Sequence, residues 1–274
     1  MSAFVTLQKL FPKHWVSRAA GTFASSNAPF IRGPLIRTFA KAYDVDMSLA
    51  ARPDLATYDS FNDFFTRSLT PEARPIDSSE STLVCPADGA VSQMGTIQEG
   101  QLLQAKGIRY SFNALADACA GPEYEGGQFL TVYLSPKDYH RVHVPAAGKL
   151  IRSVAIPGKL FSVNSKTESE IEGLFAINER LVCEFETPFG KMLVIMVGAL
   201  IVASIETVWD SPPSPYRTKQ AFEHDQSLEK GAEMGRFLLG STAIVIFEKD
   251  RVRLSPNLTP GSSVQMGQSI GKIL

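Results

Sequence analysis

The chain has 274 residues, 44% of them hydrophobic and 20% charged, which fits one large globular domain or a domain with a terminal appendage and excludes a disordered or repetitive chain. Three cysteines, Cys85, Cys119 and Cys183, form no Cys-x-x-Cys pair, so the sequence carries neither a disulfide framework nor a zinc signature and suits a reducing compartment. The formal net charge of −1 conceals an asymmetry: residues 1–43 hold six basic and no acidic side chains, and the remaining 231 hold 21 basic and 28 acidic ones.

The N-terminal residues carry Lys9, Pro12 and Lys13 where a secretory signal would place an apolar core, so no such signal is expected. Phe4, Leu7, Leu10 and Phe11 form one stripe at helical spacing. Leu35, Ile36, Phe39, Ala40 and Tyr43 form a second, with Pro34 suited to a first helical turn. Such basic amphipathic helices can lie in the interface of an anionic bilayer or pack on the protein's own core, and sequence leaves both open. Nucleic acid is not expected, because no binding motif accompanies the charge.

Asp59–Leu69 predicts a short capped helix with Phe61, Phe64, Phe65 and Leu69 on its apolar side, followed by an extended linker through Pro71 and Pro75. From about residue 80 the pattern turns to short β-branched runs split by Gly and Pro, the start of a mainly β body. Leu83-Val84 leads into Pro86-Ala87-Asp88-Gly89, a turn in which Asp88 has an ordinary turn role by default. After the strand Leu130–Leu134, Ser135 caps and Pro136 starts a single helical turn, and His140 and His143 follow at a turn-to-strand junction where both can reach one site. They lack a third ligand at metal spacing. The run 192–205 has 14 residues, too short to span a bilayer, and reads as buried strand; residues 210–229, rich in proline and charge, read as an exposed loop. Gly240-Ser241-Thr242 lies between the apolar runs Leu238-Leu239 and Ala243–Phe247, where a hydroxyl beside an unshielded carbonyl can attack it if a base takes the proton. The chain closes with a glycine-punctuated strand pair, Val264–Gly271.

The order Phe-x-x-Phe-Phe-x-Arg-x-Leu at 61–69, Pro-Ala-Asp-Gly at 86–89, Tyr-His-Arg-Val-His at 139–143, Asn-Glu-Arg at 178–180 and Leu-Gly-Ser-Thr at 239–242 resembles the bacterial phosphatidylserine decarboxylase proenzymes over nearly the whole chain. The resemblance implies an α+β protein: N-terminal amphipathic helices (1–75) before a barrel- or sandwich-like β body (76–274). It implies self-cleavage between Gly240 and Ser241 into a β chain of 1–240 and an α chain of 241–274. Asp88, His143 and Ser241 would form a charge-relay set in which Ser241 Oγ attacks the Gly240 carbonyl. The resulting ester would eliminate to leave a pyruvoyl group derived from Ser241, which takes the amine of phosphatidylserine as a Schiff base and accepts the electron pair left by CO₂, with no metal required. His140 would supply the proton in that second reaction with His143 contributing, although the two histidines could exchange roles. The family's location is peripheral, here expected at the cytoplasmic face of the cell membrane. The paired chains form a heterodimer, and a dimer of heterodimers stays open. Two other readings are a non-catalytic barrel with an uncut Gly240–Ser241 turn and a Ser-His-Asp hydrolase; the second lacks a Gly-x-Ser-x-Gly elbow around Ser241.

Overall fold

The computed structural model describes residues 21–199, 205–210, 212, 215–238 and 241–274. The expected helix over Phe4–Phe11 lies outside them. Helix α1 spans Pro29–Ala42 and α2 spans Phe61–Phe65. The first starts at Pro29, not at Pro34. Pro34 lies inside the helix, where it forfeits one i→i−4 bond. In α2 the Ser60 hydroxyl caps the Asp63 N–H at 3.1 Å, and Thr66 ends the helix. The α1 stripe is spent mainly on the protein's own core. Ile36 is buried, and Phe39 meets Phe61, Phe65 and Phe64 at ring-centroid separations of 4.9, 5.7 and 6.2 Å. Tyr58 and the three α2 phenylalanines complete this cluster, in which truncating any one Phe to Ala would cost about 3–5 kcal/mol. Phe23 and Phe30 are left exposed, at 59% and 80%, on the same segment as exposed Arg37 and Lys41.

The β body begins at β1 (Thr82–Val84), as the change of pattern near residue 80 predicts. There follow β2 (Gly89–Thr96), β3 (Gln101–Leu103), β4 (Arg109–Ser111), β5 (Gln128–Leu134), β6 (Arg141–His143), β7 (Gly148–Ile156), β8 (Arg180–Thr187) and β9 (Gly190–Val197). The rest are β10 (Ile205–Thr207), β11 (Gln220–Leu228), β12 (Glu233–Phe237), β13 (Ser241–Phe247), β14 (Val252–Leu254), β15 (Ser263–Val264) and β16 (Ser269–Ile273). Eight strands form one antiparallel sheet in the order β11-β7-β8-β9-β13-β5-β2-β15. Its central strands are buried on both faces, which is why they read as continuous apolar runs rather than alternating ones. In β13, Ala243, Val245 and Phe247 face one core while Ile244 and Ile246 face the other. The small sheets β10-β12-β6 and β1-β16-β14 contribute to the first core. The second core takes in Leu102 of β3, Tyr110 of β4 and the short helices Phe112–Ala116 and Leu174–Ile177.

Two expectations need correction. Within the expected loop 210–229, Gln220–Leu228 is an edge strand paired with β7. Its Phe222, His224, Gln226 and Leu228 are half-buried while the residues between them are exposed, so polar residues occupy a strand that has only one covered face. And Ser135–Asp138 is a tight turn without a helix: Ser135 N–H and Oγ–H both donate to Asp138 Oδ2 at 2.7 Å, and Asp138 N–H returns to the Ser135 carbonyl at 3.0 Å.

Candidate active site

β5 ends at Leu134, and the turn after it delivers His140 and then β6, with His143 at its end. Antiparallel to β6 lies β12, with Glu233 opposite His143 and the Phe237 N–H donating to the His140 carbonyl at 3.0 Å. β12 leads through residues 238–240 into β13, whose first residue, Ser241, pairs with Leu134. Both ends of the short connection are therefore tied to the segment that carries the two histidines. Gly240 lies outside the described residues; Ser241 is placed by its backbone.

His140 lies just before β6 and His143 at its end, and each commits its Nδ1–H to a backbone carbonyl. His140 is fully buried, its ring 4.0 Å from that of Phe65. Its Nδ1–H donates to the Asp138 carbonyl at 2.8 Å, and Nε2 is buried with no hydrogen-bond partner among the described residues. Burial lowers its pKa to about 3; the Arg67 charge acts in the same direction, and the carbonyl bond opposes both. His143 Nδ1–H donates to the Gly231 carbonyl at 2.8 Å, and Nε2 accepts from the Tyr139 hydroxyl at 3.1 Å. Its pKa too is lowered by burial, with the Gly231 carbonyl bond opposing.

Asp88 stands close enough to be felt by His143, yet it makes no hydrogen bond to it. Its carboxylate is gripped by Arg74, with Nε at 2.8 Å from Oδ1 and 3.0 Å from Oδ2 and a further bond from Nη2, and Oδ1 also accepts the Met266 N–H at 2.9 Å. The turn that presents it depends on Gly89. A Cβ there would lie 2.1 Å from the Tyr133 carbonyl oxygen, and its φ of +153° is one L side chains rarely adopt. Arg74, Tyr139 and Arg67 escape sequence reasoning. Arg74 stands in the linker just before Pro75, and Arg67 follows an apolar helix, where either would ordinarily be a solvated cation; the Phe-x-x-Phe-Phe-x-Arg-x-Leu pattern is the signal that could have singled out Arg67. Among the described residues no three His, Cys, Asp or Glu side chains group as metal ligands.

The family model described as phosphatidylserine decarboxylase matches residues 61–272, and a second, described as PSD, matches residues 3–44. A phosphatidylserine decarboxylase proenzyme of Pseudomonas putida (strain GB-1) is 49% identical over 98% of this chain and 97% of its own length. The proteins of that name from Azotobacter vinelandii and Pseudomonas fluorescens (strain SBW25) are 47% and 50% identical, over 98% and 97% of this chain and 97% and 96% of their own lengths. A match covering the β body and its histidine junction, with relatives aligned over nearly the full length, means that this chain belongs to the phosphatidylserine decarboxylase family.

Proposed function

We propose that the chain is a proenzyme that cuts itself between Gly240 and Ser241 and then converts phosphatidylserine to phosphatidylethanolamine and CO₂. The observation that carries this reading is the double anchoring of the 238–240 connection to the histidine segment, through Phe237 and His140 on one side and Ser241 and Leu134 on the other. Because β13 is paired on both edges and buried on both faces, breaking the peptide bond at its start leaves the two chains assembled as a heterodimer.

In the cleavage, Ser241 Oγ attacks the Gly240 carbonyl carbon and its proton moves to His143. The receiving atom is Nε2, since Nδ1 already donates its hydrogen to the Gly231 carbonyl, and the Tyr139 hydroxyl, which donates to that same Nε2 at 3.1 Å, must release it first. Asp88 acts through space, favouring the imidazolium, with Arg74 and the Met266 N–H holding its carboxylate in place.

The residues present fit the pyruvoyl group that follows: position 241 starts a strand paired on both edges, and the histidine segment joined to that strand holds a fully buried imidazole whose Nε2 has no partner among the described residues. That group supplies an electrophilic carbonyl and an electron sink. His140, held neutral with Nε2 bare, relays to the carbon that loses CO₂ a proton that the substrate ammonium gives up. We assign residues 1–75 to docking on the anionic membrane that holds the substrate, peripherally and at its cytoplasmic face, and 76–274 to catalysis. Exposed Phe23 and Phe30 beside Arg37 and Lys41 suit that surface. Among the described residues no helix is long and apolar enough to cross a membrane.

The test is release of CO₂ and formation of phosphatidylethanolamine from phosphatidylserine vesicles by the wild-type protein, with Ser241→Ala as the control. Absence of product from a folded, cleaved protein would refute the activity. Labelling of Ser241 by a covalent serine-hydrolase probe would favour the hydrolase reading instead.

A further inference from the structure

Arg67 follows α2 and is 3% exposed, although it bears a charge. Its Nη2 donates to the carbonyls of Lys137 at 2.9 Å and Asp138 at 3.4 Å, and Nε and Nη1 are buried without a hydrogen-bond partner among the described residues. The Asp138 carbonyl is the same group that accepts the His140 Nδ1–H. The contact is reinforced on both sides, by Phe65 against the His140 ring and by Arg141 Nε donating to the Thr66 carbonyl at 2.9 Å.

We infer that Arg67 is a positioning residue for His140: it fixes the carbonyl that dictates the imidazole tautomer, and so which ring nitrogen is left bare. The inference rests on the role proposed above for His140. Other charged groups on the neighbouring elements are already matched. Asp138 accepts from Ser135, Arg141 pairs with Glu233, Arg236 with Glu206 and Glu233, and Arg74 with Asp88. Arg67 has no carboxylate at ion-pair distance among the described residues; Asp88, Asp138 and Asp46 act on it only at longer range, and its charge is felt at the His140 ring. The consequence is chemical. An imidazole with Nδ1–H committed presents one bare nitrogen, Nε2, as a relay point, and the nearby cation disfavours keeping a proton there, so a proton that reaches it passes on to the carbon after CO₂ leaves. Helix α2, which ends two residues before Arg67, also packs on α1, so the membrane-facing segment and the proton carrier share one support.

The test uses the full chain. With ¹⁵N-labelled histidine, the four histidines give signals that separate Nδ1–H, Nε2–H and doubly protonated rings. In uncut Ser241→Ala protein, His140 is expected to stay neutral and Nδ1-protonated from pH 8 to pH 5. Arg67→Gln should weaken the Nδ1–H preference, so that an Nε2–H signal of His140 appears, and, in cleaved enzyme, lower kcat about tenfold or more while KM stays within about twofold. Arg67→Lys, which restores the charge without the fork, should recover much of kcat. An Nε2–H or protonated His140 at pH 6 in protein with Arg67 intact overturns the inference, whether or not the variants fold. So does an Arg67→Gln enzyme with unchanged His140 signals and turnover, or Arg67→Lys no better than Arg67→Gln. Failure of the underlying reading is separate: His140→Ala would then turn over normally.

Discussion

The Arg74–Asp88 pair joins the linker to the turn that presents the proposed relay carboxylate, and its two roles can be pulled apart. The side chains are 11% and 7% exposed, so each ion relies on the other rather than on water. Removing one partner of such a buried pair costs about 3 kcal/mol or somewhat more, because the survivor stays charged and dry. Arg74→Met leaves the Asp88 carboxylate with the Met266 N–H alone, and Asp88→Asn turns an amide toward the guanidinium. Each should lower Tm by roughly 6–12 °C, taking about 2–4 °C per kcal/mol for a chain of this size. The double variant removes both charges, so it should cost less than the sum by roughly 1.5 kcal/mol or more. The assay is urea unfolding of the four proteins on a Ser241→Ala background, where every sample is one uncut chain. Single-variant penalties that add to within about 0.5 kcal/mol would refute the reasoning. The same cycle with Ser241 present separates structure from chemistry. If Asp88 also steadies the His143 imidazolium, the double variant remains uncut or slow despite its recovered stability; rapid cleavage would make Asp88 purely a structural anchor.

His143→Ala should cleave slowly or not at all, and His140→Ala should cleave yet fall at least about a hundredfold in turnover, read by gel and CO₂ release; failure of His140→Ala to cleave would exchange the two roles. Acid should destabilise the uncut protein. Unfolded histidines protonate near pH 6.5, whereas burial holds His140 at about 3 and His143 below its usual value. The unfolded chain therefore binds the extra protons as pH falls below about 6.5, and stability drops by up to ~1.4 kcal/mol per pH unit per histidine. Urea titrations at pH 7 and pH 5.5 check this, and His140→Asn should flatten the slope. Binding to anionic vesicles should weaken with added salt and on substitution of Arg37 and Lys41 by Gln; binding indifferent to both would remove the docking role.

Much of this was legible in the chain because it rests on local chemistry. The Ser60 cap, the apolar runs of β5, β9 and β13 and the turn at Asp88-Gly89 each follow from a few adjacent residues. What stayed hidden depends on partners distant in sequence. β11 is a strand because β7 offers its edge, and its prolines upstream and polar residues gave the appearance of a loop. Arg67 and Arg74 resemble solvated cations until the fold brings Asp138 and Asp88 beside them. The relay expected from Asp88 to His143 meets a similar surprise, since both Nδ1–H groups of the histidine pair face backbone carbonyls rather than a carboxylate.

The central claim is that the peptide bond between Gly240 and Ser241 is broken by the chain itself, and intact mass under denaturing conditions tests it most directly. The account predicts two masses from purified wild-type protein that sum to the full chain plus one water minus one ammonia, the smaller being residues 241–274 with a pyruvoyl start, and one full-length mass from Ser241→Ala. A single full-length mass from folded wild-type protein that nevertheless releases CO₂ from phosphatidylserine would contradict it.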